Sequence, residues 1–170
     1  MKKILFLIAS VFIILNVAQA KPTENYTFTD TSGKIFHAQG TKDGLIIPEA
    51  KGKIIFLEFF GHKCPPCITS IPHYKNLQKK YNGKIQIIAI EVQGLDNNQV
   101  KTFAAQKGIN YTTVSQDKAG DFVNYIASRA NWSGAIPYLV VIDKKGVVQF
   151  MQAGSMGEAG LETIIKELSK

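Results

Sequence analysis

Apolar positions along this chain follow two periods. The run from Lys53 to Phe60 (KIIFLEFF) is almost continuously hydrophobic, rich in Ile and Phe, and bounded by Gly52 and Gly61. That pattern predicts a strand buried on both faces. After Gly61 the spacing changes: Ile68, Ile71, Leu77 and Tyr81 recur at near-helical intervals until Asn82-Gly83. This predicts a helix whose first turn accommodates Pro65 and Pro66, where a missing amide hydrogen is harmless. Pro72 falls inside it and is expected to kink it. Further along, the pattern predicts a second core strand over 84–92, a helix over 96–107 closed by Gly108, and a short strand over 111–114. A helix over 122–130 follows, then strands over 138–143 and 147–151 joined by the turn at 143–146, and a last helix over 158–168. Upstream, residues 27–37 read as a hairpin turning at Ser32-Gly33. Strands alternating with helices make an α/β protein with a central mixed sheet. There is no internal repeat or low-complexity linker.

The N-terminus does not belong to this plan. Lys2 and Lys3 precede an apolar run from Ile4 to Val17, broken only by Ser10 and Asn16, and Ala18-Gln19-Ala20 follows. This is the layout of a secretory signal peptide over 1–20, cut after Ala20. The run is short for a bilayer, which needs about 20 apolar residues. Residues 21–170 would then form one domain outside the cytosol, with no later stretch apolar enough to span a membrane.

Charge changes the picture little. The net charge of +7 falls to +5 without Lys2 and Lys3. The excess is scattered as single lysines and short pairs, and Arg129 is the only arginine. No basic stripe with interleaved aromatics is present, so a nucleic-acid partner is not expected.

Both cysteines, Cys64 and Cys67, sit in one CPPC motif. A small exported protein stapled by disulfides carries several cysteines at scattered spacings. Two so close together close a loop too small to restrain the unfolded chain much, so the pair is there to react. Cys64 falls at the end of the buried strand and at the N-terminus of the predicted helix, where free amide hydrogens and the helix dipole favour a thiolate. It is the expected nucleophile. Cys67, one turn on, is placed to attack a mixed disulfide formed at Cys64. Glu58 is the one charged residue inside the apolar strand. Burial would raise its pKa and let it serve Cys67 as a proton acceptor; the alternative is a lysine partner, Lys53 or Lys84.

The strand, the CPPC motif, the helix with a proline eight residues after the first cysteine, and the later Ile136-Pro137 before the strand beginning YLVVID together resemble the thioredoxin fold. More closely, with FTDTSGK at 28–34, GKIIFLEFF before the cysteines and IPYLVVIDKKG after them, the chain resembles the TlpA/ResA-like extracytoplasmic thiol-disulfide oxidoreductases. The resemblance runs from about Tyr26 to Leu168. It implies a three-layer thioredoxin-like sandwich with an N-terminal hairpin and an extra α/β insert over 94–132. It makes Cys64 the attacking and Cys67 the resolving thiol of a redox-active disulfide, with no further cofactor. Glu58 takes the place of the buried acid of thioredoxins. Pro137 becomes a cis-proline facing the disulfide, with Ile136 lining the substrate groove. Lys63, Pro65 and Pro66 are the immediate neighbours of the cysteines. Lys63 stands where the family often has an aromatic, and a cation there favours the thiolate further. The acid is Glu, with its longer side chain.

The resemblance implies a reductase of particular extracytoplasmic protein disulfides, as in cytochrome c haem attachment or metal-site assembly, with electrons from a membrane thiol carrier. Pro-Pro between the cysteines does not settle the direction, so a dithiol oxidant or isomerase stays open. His62, Cys64, Cys67 and His73 also have the chemistry of a copper or zinc chaperone, although no metal is expected. A peroxiredoxin-like peroxidase shares the fold but sets its cysteine in a different local pattern. No GxGxxG nucleotide motif occurs.

Overall fold

The computed structural model describes residues 24–170; the leader expected over 1–20 lies outside them. Strands β1 (Asn25–Thr29) and β2 (Ile35–Gly40) form an antiparallel hairpin in which Phe28 lies opposite Phe36. Its turn is tied by Asp30, whose Oδ1 accepts from the amides of Ser32 and Lys34 at 2.8 and 2.9 Å. A two-residue strand, β3 (Leu45–Ile46), continues this small sheet. A single turn of 3-10 helix, Pro48–Ala50, leads into the core.

The main sheet has the order β6-β5-β4-β7-β8. Strands β4 (Ile54–Phe60), β5 (Ile85–Glu91) and β6 (Thr112–Ser115) run parallel, whereas β7 (Tyr138–Ile142) and β8 (Val148–Ala153) add in antiparallel sense. Every residue of β4 is buried, as a central strand with both faces covered requires. Ile55, Leu57 and Phe59 pack with the hairpin aromatics and with Phe122 and Ile126 of α3 (Gln116–Ala130). Ile54 and Phe56 pack instead with Tyr74 and Leu77 of α1 (Pro65–Lys80) and with Leu161 and Ile165 of α4 (Glu158–Leu168). Each such apolar side chain contributes roughly 1.5–3 kcal/mol of burial. The result is the expected α/β sandwich of three layers around a mixed sheet.

Several element ends differ from the sequence reading. α3 begins at Gln116, six residues before Phe122, because a first turn after Ser115 precedes Ala119, whose φ of −132° and ψ of 15° interrupt the helix. The apolar periodicity starts only beyond that interruption. β8 extends to Ala153 because Tyr138 pairs with it. Helix α1 continues through Pro72. Helix α2 (Asn97–Lys107) has the expected ends: Asp96 and Gln99 form a capping box, and Gly108 closes it at φ 58°. β3 and the 3-10 turn were not legible, since two- and three-residue elements have no period to read.

Candidate active site

Strand β4 ends at Phe60, so Gly61 follows the carboxyl end of the central strand, and α1 begins four residues later. Cys64 is the N-cap of α1, with Pro65 and Pro66 in its first two positions and Cys67 in its first turn. The two sulfurs are joined at 2.06 Å. The Cys67 amide donates to Cys64 Sγ at 3.3 Å, so a helix N-terminal N–H already points at the sulfur that would carry negative charge. Cys64 is 6% exposed and Cys67 only 1%. Lys63, Pro65 and Pro66 are exposed around them.

The cysteines share a small apolar cluster with Phe60 and Ala89, and Phe103, Tyr111 and Ile136 pack on its rim. Ile136 thus packs on the cluster that holds the dithiol, and its peptide to Pro137 is cis. The loop before it is held by Trp132, whose Nε1 donates to the Ala135 carbonyl at 2.7 Å while its ring stacks on Tyr138 and lies 4.6 Å from that of Phe59. Pro137 is fixed on its other side by the Gly154 amide, 2.8 Å from its carbonyl oxygen. Phe103 comes from α2, inside the expected insert. The sequence reading did not single it out, and its only signal was a lone aromatic in a polar helix.

Glu58 is 3% exposed and makes no ion pair with Lys53 or Lys84; the described residues give it no lysine partner. Along β4 it alternates with Phe56 and Phe60, and so faces α1 with the cysteine cluster. Burial pushes its carboxyl up to about 8. Tyr74 and Tyr111 are pushed up as well, by burial first and by the nearby Glu58 second.

A second buried carboxylate was missed. Glu91, 0% exposed at the end of β5, accepts from His62 Nδ1 at 2.8 Å and from the amides of Gln93 and Leu95 at 3.1 and 3.0 Å. An acidic residue ending an apolar strand was its only trace in the sequence. His73 lies on α1 with a buried Nδ1 that has no hydrogen-bond partner. Among the described residues no three His, Cys, Asp or Glu side chains gather as a metal site.

The AhpC/TSA family model matches residues 26–151, from the hairpin through the CPPC motif to the last strand. The chain belongs to the AhpC/TSA family. Within that thioredoxin-like family it is similar to proteins named ResA. It is 30% identical over 152 residues to the thiol-disulfide oxidoreductase ResA of Bacillus cereus, covering 88% of this chain and 78% of the relative. ResA of Bacillus anthracis is 29% identical over 150 residues, with the same coverage. Among solved structures, a thiol:disulfide interchange protein of the thioredoxin family from Chlorobium tepidum superposes with a TM-score of 0.67 at 26% identity, over 90% of this chain and 100% of that one. This AhpC/TSA-family member is thus a thiol-disulfide oxidoreductase with a thioredoxin-like fold. No helix of its described residues is long and apolar enough to cross a membrane.

Proposed function

We propose that the protein is an extracytoplasmic reductase of particular protein disulfides, of the type that keeps cysteines reduced for haem attachment to cytochrome c or for metal-site assembly. The Cys64 thiolate attacks the substrate disulfide; one substrate sulfur leaves as a thiolate and the other stays bonded to Cys64. Cys67 gives its proton to Glu58 and attacks Cys64 Sγ, which releases the second substrate sulfur and closes the Cys64–Cys67 bond. Two electrons pass to the substrate, and the proton held by Glu58 returns to a leaving thiolate. A carboxyl that titrates near 8 can take and return a proton close to neutrality. The Cys64–Cys67 couple carries the electrons without a further cofactor, and a membrane thiol carrier would restore the dithiol.

The observation that carries this reading is the packing of the cysteines in a small apolar cluster. Ile136 and Phe103 both pack on that cluster. Phe103 also lines an open groove of about 390 Å³ with Leu95, Gln99, Thr102 and Gln106. A substrate segment that reaches Cys64 past these side chains is selected by its fit, which suits a reductase of few partners better than a general oxidant. The signal-peptide pattern over 1–20 supports placement outside the cytosol.

The test is the reduction potential of the couple in defined thiol buffers. A value near or below about −270 mV fits the proposed reductant, whereas one toward about −120 mV makes the protein a disulfide donor. Stoichiometric copper or zinc retention by the dithiol form would favour the chaperone reading instead.

A further inference from the structure

The three residues before Cys64 are all held by one short segment that lies about thirty positions away in sequence. Glu91 Oε1 lies 2.8 Å from His62 Nδ1 and 3.4 Å from the His62 amide. Both oxygens of Glu91 already accept backbone amides, so the arrangement suits a donor at His62 Nδ1. Gln93 Oε1 accepts from the Lys63 amide at 2.8 Å. Gly61 packs so closely under Gln93 that a Cβ there would meet its side chain at 2.2 Å. The Cys64 amide, in turn, donates to the Gly61 carbonyl at 3.2 Å. Glu91 is itself immobilised, since its two oxygens also take the amides of Gln93 and Leu95; a buried carboxylate with these donors is satisfied and has no reason to move. None of these bonds involves a sulfur.

We propose that Glu91 and Gln93 are positioning residues: they brace the Gly61-His62-Lys63 turn so that Cys64 stays within reach of Cys67 when the disulfide is open, which makes the couple more reducing. In the disulfide form the S–S bond adds a covalent tie between the two residues. In the dithiol form Cys64 is held on its helix side by the Ile68 amide, which donates to the Cys64 carbonyl at 3.0 Å, and on its N-terminal side by the brace. Loosening the brace therefore adds conformational entropy mainly to the dithiol, lowers the effective concentration of one thiol at the other, and disfavours ring closure. The balance is that of ordinary exchange: dithiol plus oxidised glutathione gives the intramolecular disulfide and two glutathione thiols, with two electrons passing to glutathione.

The experiment measures that equilibrium constant in glutathione or dithiothreitol buffers, together with thermal stability, for Gln93→Ala, His62→Ala and His62→Asn. Gln93 is exposed, so its variant should fold. Gln93→Ala and His62→Ala are expected to lower the constant for disulfide formation by about tenfold, equivalent to about 30 mV less negative. His62→Asn, whose amide can still donate to Glu91, is expected to stay within about twofold of the parent. Constants unchanged in both alanine variants, or shifted toward easier disulfide formation, would overturn the brace even if melting temperatures fall. The difference between variants tests the brace and the absolute value for the parent tests the direction of electron flow, so the two proposals fail separately.

Discussion

Glu58 and Ala89 are register partners on the parallel strands β4 and β5, and Ala89 packs in the same cluster as Cys64 and Cys67. The acid therefore lies on the sheet face that carries the dithiol, in surroundings without a counter-charge. Burial without a partner is unfavourable for its charged form, and it is this that couples Glu58 both to proton transfer and to stability.

The coupling has a definite sign. Glu58 goes from 4.5 in the unfolded chain to about 8 in the fold, so the native state binds its proton more tightly. Its contribution is fully present below the unfolded value and is lost as pH rises toward 8, by about 1.4 kcal/mol per pH unit. Between pH 5 and 8 this group should reduce stability by roughly 4 kcal/mol. Glu58→Gln should flatten that part of the profile, which urea midpoints at pH 5, 7 and 9 would measure. The same variant should slow release of the substrate from the mixed disulfide while leaving the first attack by Cys64 unchanged. A variant with the parental pH slope would remove Glu58 from both roles.

The asymmetry of the cysteines is testable by trapping. Cys64 is 6% exposed at the N-cap of α1, while Cys67 is 1% exposed on its first turn. Cys67→Ser should accumulate mixed disulfides through Cys64, visible as added mass that a reductant removes. Cys64→Ser should accumulate far fewer, because the remaining sulfur is covered. Equal trapping by both would reverse the proposed roles.

What the sequence made legible follows physical periodicity. The apolar run of β4, the caps Asp96 and Gly108 of α2 and the prolines opening α1 are local signals, and each reads correctly because the local preference and the fold agree. The thioredoxin-like fold followed from these elements with the CPPC motif and Ile136-Pro137. What stayed hidden depends on contacts distant in sequence. Glu91 reaches His62 across 29 positions, and Phe103 joins the cysteine cluster from α2, about forty positions beyond Phe60. The choice between a lysine partner and an unpaired acid at Glu58 was likewise a question of which side chains arrive from other strands.

Phe103 should matter for large substrates and not for small ones. Its ring lies 6.0 Å from that of Phe60 and packs on the cluster that holds Cys64. Phe103→Ala removes that ring while leaving the sulfurs and the α1 N-terminus in place. The expected outcome is a tenfold or larger fall in kcat/KM for a protein disulfide such as that of insulin, against less than a twofold change for cystine. Equal losses on both substrates would mean that the ring acts on the dithiol itself.

The junction between the two sheets gives a prediction about the fold alone. Gly44 bridges Val147, and the amides of Leu45 and Val148 donate to the Gly146 and Asp43 carbonyls at 2.8 and 3.0 Å. A Cβ on Gly44 would lie 2.1 Å from the Gly146 carbonyl oxygen and 2.9 Å from the Val148 amide nitrogen. Both obstacles are backbone, so the strands themselves must part. Gly44→Ala should destabilise the protein by roughly 1–3 kcal/mol. Gly120 lies inside α3 with no atom within 4 Å of an added Cβ, and Gly120→Ala should stabilise by about 0.5–1 kcal/mol through the lower helix propensity of glycine. Opposite shifts in melting temperature for the two glycines are the expected result. A loss at both would show that the interruption at Ala119 needs the freedom of the glycine that follows it.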